Sequence, residues 1–209
     1  MNKACFFDLD GTLIPNPSSE VRVLRVLFKN FVISPSGIVM WFLESIFRYK
    51  NFKNSKAYYQ GLQVDTIRTL VNKKLKNLRG FVCTDALEYI KKKQNEGYKI
   101  YLISGTPHFI AEAISKNIEF SKVYSSELEI RKGKFTGRIV SIIPFGKNKE
   151  TIVKEIAKKD PIDLKESIAF GDSYFDLPFL LSTGSYFAVN PDKKLRRLVK
   201  PEQIIIWRD

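Results

Sequence analysis

The stretch "FFDLDGT", Phe6 to Thr12, sets two carboxylates, Asp8 and Asp10, one residue apart at the end of an apolar run and directly before a glycine. Alternate residues of a strand project to the same side, so the pair converges where the chain turns. Two like charges that close repel. Such a pair persists when a cation neutralises it, or when the two groups divide a reaction between them and one holds a proton. Polar residues follow two later apolar runs. Ser104-Gly105-Thr106 comes after "YKIYLI", and Gly171-Asp172-Ser173 comes after "SIAF", with Asp176 four residues beyond Asp172 and able to share a helix face with it. Lys147 and Lys149 open a helical pattern just before the last of these strands. The chain thereby offers carboxylates for a hard cation, a hydroxyl with backbone N–H groups for phosphate oxygens, and a lysine as a fixed positive charge.

The elements that must position these residues are legible in the periodicity. From Phe81 onward, the amphipathic "TDALEYIKKKQNEG" leads into the buried strand "YKIYLISG" and then "PHFIAEAISKNI", a helix opened by Pro107. "KVYSSELEI" and "KFTGRIVSII" flank the turn "RKGK" and predict a hairpin. "NKETIVKEIAKK" predicts a helix, "SIAFGD" a strand, "FDLPFLLSTG" a short helix and "YFAVN" a strand. The basic helix "DKKLRRLVK" and a last strand "QIIIW" follow. Helices alternating with apolar strands predict an α/β fold, a mainly parallel sheet covered on both faces. In such sheets ligands bind outside the carboxyl ends of the strands, where the polar residues above are found.

Residues 15–80 lack that rhythm. Helix-like runs, "EVRVLRVLFKNFV", "GIVMWFLESIFRYK" and "VDTIRTLVNKKLKNL", alternate with "SPSG" and "YYQG", which predicts a helical module inserted after the first strand. The expected division is a core of 1–14 and 81–209 and a helical cap of 15–80.

With 209 residues and 44% hydrophobic content, the chain can bury a full core, which excludes a disordered tail. The start lacks the apolar run of a signal peptide, so a cytoplasmic protein is expected. Cys5 and Cys83 are too few for a disulfide framework or a zinc site and read as reduced core thiols. The net charge is +13, and residues 15–80 hold 12 Lys and Arg against Glu20, Glu44 and Asp65. That basic balance favours an anionic partner: a phosphorylated small molecule, an acidic membrane surface or nucleic acid.

"DLDGT", "SGT", a lysine before a helix and "GDSYFDLP", in this order, resemble the four motifs of the haloacid dehalogenase superfamily of phosphatases. "LEIRKGKFTGRI" and "VNPDKKLRR" resemble its phosphoserine-phosphatase-like branch, which carries a helical cap on a Rossmann-like, doubly wound core. The resemblance implies Asp8 as nucleophile, forming an aspartyl-phosphate, and Asp10 as general acid and then base. It implies Mg²⁺ held by the Asp8 carboxylate, the Asp10 carbonyl and Asp172, with Asp176 as ligand or orienter. Thr12, Ser104 and Gly105 would bind the phosphate, and a lysine would neutralise it. Lys149 is preferred to Lys147, because Ile152, Val153 and Ile156 follow it at three, four and seven residues.

The implied activity is Mg²⁺-dependent hydrolysis of a phosphomonoester, either a small phosphoserine-like metabolite or a lipid phosphate. Phosphotransfer to an alcohol, or a basic membrane- or nucleic-acid-binding protein with a vestigial site, are the alternatives; with every catalytic position filled, nucleic acid is not expected. The chain departs from the phosphoserine phosphatases where they carry a glutamate nine residues after the nucleophile, since Pro17 stands there; Glu20 and Lys56 are the nearest replacements for the substrate-binding charges. The apolar stretch 31–43 is too short to span a bilayer and is broken by Pro35 and Gly37. It reads as cap core, or as a peripheral contact with an anionic membrane. His108, the only histidine, takes either a structural role or a substrate contact.

Overall fold

Ala4–Phe7 forms strand β1, and all four of its residues are buried. The computed structural model, which describes residues 2–33, 56–78 and 80–208, shows why. β1 lies inside a sheet, paired in parallel with β2 (Lys99–Pro107) on one side and β6 (Ile168–Gly171) on the other. The sheet continues outward to β3 (Lys122–Ser126) beyond β2, and to β7 (Ser185–Val189) and β8 (Ile204–Ile205) beyond β6, every pair parallel. The chain winds away from β1 in both directions, so this is the expected doubly wound, Rossmann-like α/β fold.

Alternation along the strands sorts their side chains into two cores. Cys5 and Phe7 of β1, Ile100 and Leu102 of β2, and Phe170 of β6 join one cluster, with α1 (Ser19–Lys29), α2 (Val64–Leu75), α3 (Thr84–Asn95) and α4 (His108–Ser115). Ala4, Phe6, Tyr101, Ile103 and Ala169 join the other. There they meet α5 (Lys147–Lys159) and the single turns α6 (Leu177–Leu180) and α7 (Lys193–Arg196). Phe7 stacks on Phe170 with ring centroids 4.4 Å apart, and Trp207 near the chain end stacks on Phe170 at 5.9 Å. Cys5 and Cys83 are both buried and unbridged, as expected, and burial pushes the Cys5 thiol up to about 12.

Three elements differ from the sequence reading. Lys122–Ser126 joins the main sheet, and the hairpin is confined to β4 (Leu128–Arg131) and β5 (Lys134–Ile139). The turn between them places Lys132 and Gly133 at positive φ. "DKKLRRLVK" forms only the turn α7, capped by the Asp192 side chain, because Leu195 and Val199 alone of that stretch reach the core. "FDLPFLLSTG" divides into a 3-10 turn, Tyr174–Asp176, and α6.

Residues 15–80 contribute α1, a 3-10 turn at Ala57–Tyr59 and α2. Arg22 ties both junctions of this segment with the rest of the chain, donating to the carbonyls of Pro15 (2.7 Å), Pro17 (2.8 Å) and Gly80 (3.2 Å). Residues 56–64 lie along β5. Lys56 N–H donates to the Gly137 carbonyl at 2.8 Å and Phe135 N–H to the Leu62 carbonyl at 3.0 Å. Gly137 has φ +80°, and a Cβ there would stand 2.9 Å from Ala57 Cα, so only glycine lets the two strands of chain approach. The run "GIVMWFLESIFRYK" and the apolar stretch from Ser34 onward lie outside the described residues. No helix among the described residues is long and apolar enough to cross a membrane.

Candidate active site

β1 and β6 run side by side and end together, and the residues just past them meet. Lys149, in the first turn of α5, is 4% exposed, and its Nζ donates to Asp8 Oδ1 at 2.6 Å and to Asp176 Oδ1 at 2.6 Å. It is carried there by the helix face it shares with Ile152, Val153 and Ile156, all buried. Lys147 is exposed. Asp176 is fixed on its other oxygen, which accepts from Ser173 Oγ at 2.9 Å and Ser173 N–H at 3.2 Å. Gly171 makes room for it, since a Cβ there would lie 2.8 Å from Asp176 Cβ.

Asp8, Asp172 and Asp176 each offer a carboxylate oxygen, and the three oxygens lie within 4.8 Å of one another. Gly11, at φ +93°, carries the chain past Asp172 so closely that a Cβ would stand 2.1 Å from Asp172 Oδ2. Burial pushes the Asp8 carboxyl up to about 7, against the pull of Lys149 and with added repulsion from Asp176. Burial, then repulsion from Asp8 and Asp176, pushes Asp172 up to about 8. Burial works against the Lys149 ammonium, but Asp8 and Asp176 outweigh it and hold its pKa above the ordinary lysine value. One ammonium among three crowded carboxylates leaves a negative excess, and an all-oxygen donor set of this kind fits a hard divalent cation such as Mg²⁺.

Asp10 faces elsewhere. Its Oδ1 accepts from the Ser19 N–H at 2.6 Å, at the first turn of α1, and its Oδ2 accepts from Thr106 Oγ1 at 2.7 Å and Ser19 Oγ at 3.1 Å. The carboxylate thus answers an orphan donor of the helix start and joins α1 to the end of β2. Ser104 is buried, its hydroxyl donating to Thr106 Oγ1 at 3.2 Å. Asp8, Asp10, Ser104, Gly105, Lys149 and Asp172 all line one cavity of about 240 Å³, together with Asp176.

The family model for haloacid dehalogenase-like hydrolases matches residues 5–181. The chain belongs to the haloacid dehalogenase-like hydrolases. Among curated relatives, phosphoserine phosphatase SerB1 of Mycobacterium tuberculosis is 27% identical over 212 residues, covering 96% of this chain and 68% of its own. Among solved structures, a protein of unknown function from Bordetella pertussis superposes with a TM-score of 0.81 at 19% identity, covering 100% of this chain and 99% of its own. A phosphoserine phosphatase in apo form superposes with a TM-score of 0.72 at 20% identity, covering 99% and 94%. The family expected from the four motifs is borne out, and so, at the level of the family, is the phosphatase class.

Against the motif pattern of this haloacid dehalogenase-like chain, one placement differs from expectation. Thr12, expected at the phosphate, is buried and turned to Asp8 Oδ2 at 3.5 Å, and it is not among the residues lining the cavity. His108 hydrogen-bonds Ser125 Oγ at 2.7 Å and does not line it either. Glu20 does line it, but its two oxygens are taken by the Lys56 ammonium and the Tyr58 hydroxyl. Ser19, Tyr58 and Phe145 went unread in the sequence. A first-turn serine, a tyrosine and a loop phenylalanine have no spacing signal, whereas Thr106 belongs to the "SGT" motif.

Proposed function

We propose that this haloacid dehalogenase-like enzyme is a Mg²⁺-dependent phosphomonoesterase working through an aspartyl-phosphate on Asp8. The observation that carries the reading is the convergence of Asp8, Lys149, Asp172 and Asp176 at the paired ends of β1 and β6. Lys149 holds Asp8 Oδ1 and the Thr12 hydroxyl meets Oδ2, so the carboxylate is oriented for its attack on phosphorus. As the Asp8 oxygen bonds to phosphorus, the ester P–O bond breaks and Asp10 gives its proton to the departing alcohol oxygen. A water molecule then attacks the same phosphorus, Asp10 takes that water's proton, and Asp8 is released with inorganic phosphate. Ser104 and Gly105, at the end of β2, face the phosphate oxygens. Asp8, Asp172 and Asp176, with the Asp10 carbonyl, would hold Mg²⁺, which supplies charge neutralisation for the phosphoryl oxygens when bound.

In this reading residues 1–14 and 81–209 are the catalytic core and 15–80 is the cap that meets the alcohol part of the ester. A small phosphorylated metabolite suits a catalytic cavity of about 240 Å³. The name of SerB1 makes phosphoserine one candidate. The lipid and membrane-surface reading of 31–43 gains no support, because residues 34–43 fall outside the described ones. The decisive experiment is phosphate release from a panel of phosphomonoesters with Mg²⁺ and with chelator. Metal-dependent release that Asp8→Asn abolishes is expected. No release by folded protein would overturn the reading.

A further inference from the structure

Beside the catalytic cavity lies a second, of about 470 Å³, lined in part by Lys56, Ile139, Ser141, Ile143 and Asn148. Gly105 and Phe145 line both cavities, so an ester whose phosphorus sits at Asp8 can extend its alcohol part from one into the other. The volume is that of an ordinary small-molecule pocket. Among the described residues that line it, Lys56 alone carries a charge, and that charge is already answered. The Lys56 ammonium donates to Glu20 Oε2, and Tyr58 donates to Glu20 Oε1. Lys56 and Glu20 side chains are 18% and 15% exposed, so the pair is largely withdrawn from water. A zwitterionic alcohol such as serine would need an open anion for its ammonium and an open cation for its carboxylate. Here Lys56 and Glu20 hold each other, and parting them leaves two poorly solvated charges to be re-paired. Among the described residues, the rest of the lining is hydrocarbon from Ile139, Ile143 and Phe145, with uncharged polar atoms from Gly105, Ser141 and Asn148.

We infer that this second cavity receives the leaving alcohol and selects an uncharged one with an apolar flank over a zwitterionic amino acid. The inference rests on the phosphomonoesterase reading and names its substrate class. It is tested by kcat/KM for butyl phosphate, glycerol phosphate, phosphoserine and methyl phosphate, the last too short to fill the second cavity. The wild type is compared with Ile143→Asp, and with Ser141→Asp should the first fail to fold. The two uncharged esters are expected to exceed phosphoserine by about tenfold or more, the scale on which one pocket contact discriminates. The aspartate variant is expected to lower kcat/KM for butyl phosphate by about tenfold, mainly through KM, and to leave methyl phosphate unchanged. Preference for phosphoserine, with Glu20→Gln weakening it, would overturn the inference and leave the phosphatase reading standing, since the pair would then open to clasp the substrate. An equal effect of the aspartate on butyl and methyl phosphates would overturn the assignment of the cavity. No release from any of the four esters would overturn both readings together.

Discussion

Two ion-paired clusters border the same cavity and are balanced in opposite ways. At the ends of β1 and β6, one ammonium, Lys149, stands among the carboxylates of Asp8, Asp172 and Asp176. At the start of α1, one carboxylate, Glu20, meets one ammonium and a phenol. Both are partly or wholly withdrawn from water, so burial does not separate them. The imbalance does. The first cluster sets three carboxylates against one ammonium, and in the proposed function a cation and a phosphoryl group would complete it. The second closes on itself, Glu20 being paired with both Lys56 and Tyr58 at the cavity wall.

The largest expected effect breaks the unbalanced cluster. Lys149→Met removes the only positive charge among its carboxylates and is expected to cost about 3–5 kcal/mol in chemical denaturation, besides activity. Asp8→Asn, which relieves repulsion in the same cluster, is expected to leave stability unchanged or raised. Equal losses from Lys149→Met and from Lys56→Met would erase the contrast.

Metal binding sharpens the contrast next. Asp8 and Asp172 hold their protons up to about pH 7 and 8, against a reference value of 3.8 for the unfolded chain. Between those limits the native state binds more protons, so metal-free stability falls as pH rises from about 4 to about 8. In the proposed function Mg²⁺ would replace those protons. Its stabilisation, about 2.7 kcal/mol at one hundred times Kd, is therefore expected to be larger at pH 8 than at pH 5 in thermal melts. Asp172→Asn is expected to remove most of it.

Gly11→Ala tests the close approach that brings Asp172 into the cluster. The added methyl meets Asp172 Oδ2 at 2.1 Å, and φ +93° is unfavourable for alanine. A loss of about 1–3 kcal/mol is expected, together with weaker Mg²⁺ stabilisation. The smallest effect on the metal belongs to the balanced cluster: Lys56→Met, which leaves Glu20 with the Tyr58 hydroxyl, is expected to cost about 1–3 kcal/mol, with no change in the Mg²⁺ response. A changed response would mean that the two clusters are coupled.

Local patterns made the first cluster readable. Asp8 and Asp10 follow an apolar run, Asp172 and Asp176 bracket a helix start, and Lys149 sits three, four and seven residues before buried positions. The doubly wound sheet was legible for a related reason, because strands buried on both faces leave continuous apolar runs. β3 was misread as half of a hairpin. A short strand with mixed burial, "KVYSS", does not reveal which neighbour it pairs with, and pairing with β2 decided it.

The resemblance of four short motifs made the family readable, while residue types and spacing by themselves determined the fold class and the carboxylates and lysine at the strand ends, since these depend on periodicity or contiguity over a few residues. Tertiary structure alone decided the rest. Glu20 is 36 residues from Lys56, and Asp10 is 96 from Thr106; neither pairing follows from any local rule. Thr12 turned behind Asp8 instead of toward the cavity because the chain bends at Gly11. The balance of charge around the cavity is a sum over side chains brought together from distant segments. Folding makes that sum, and no stretch of sequence contains it.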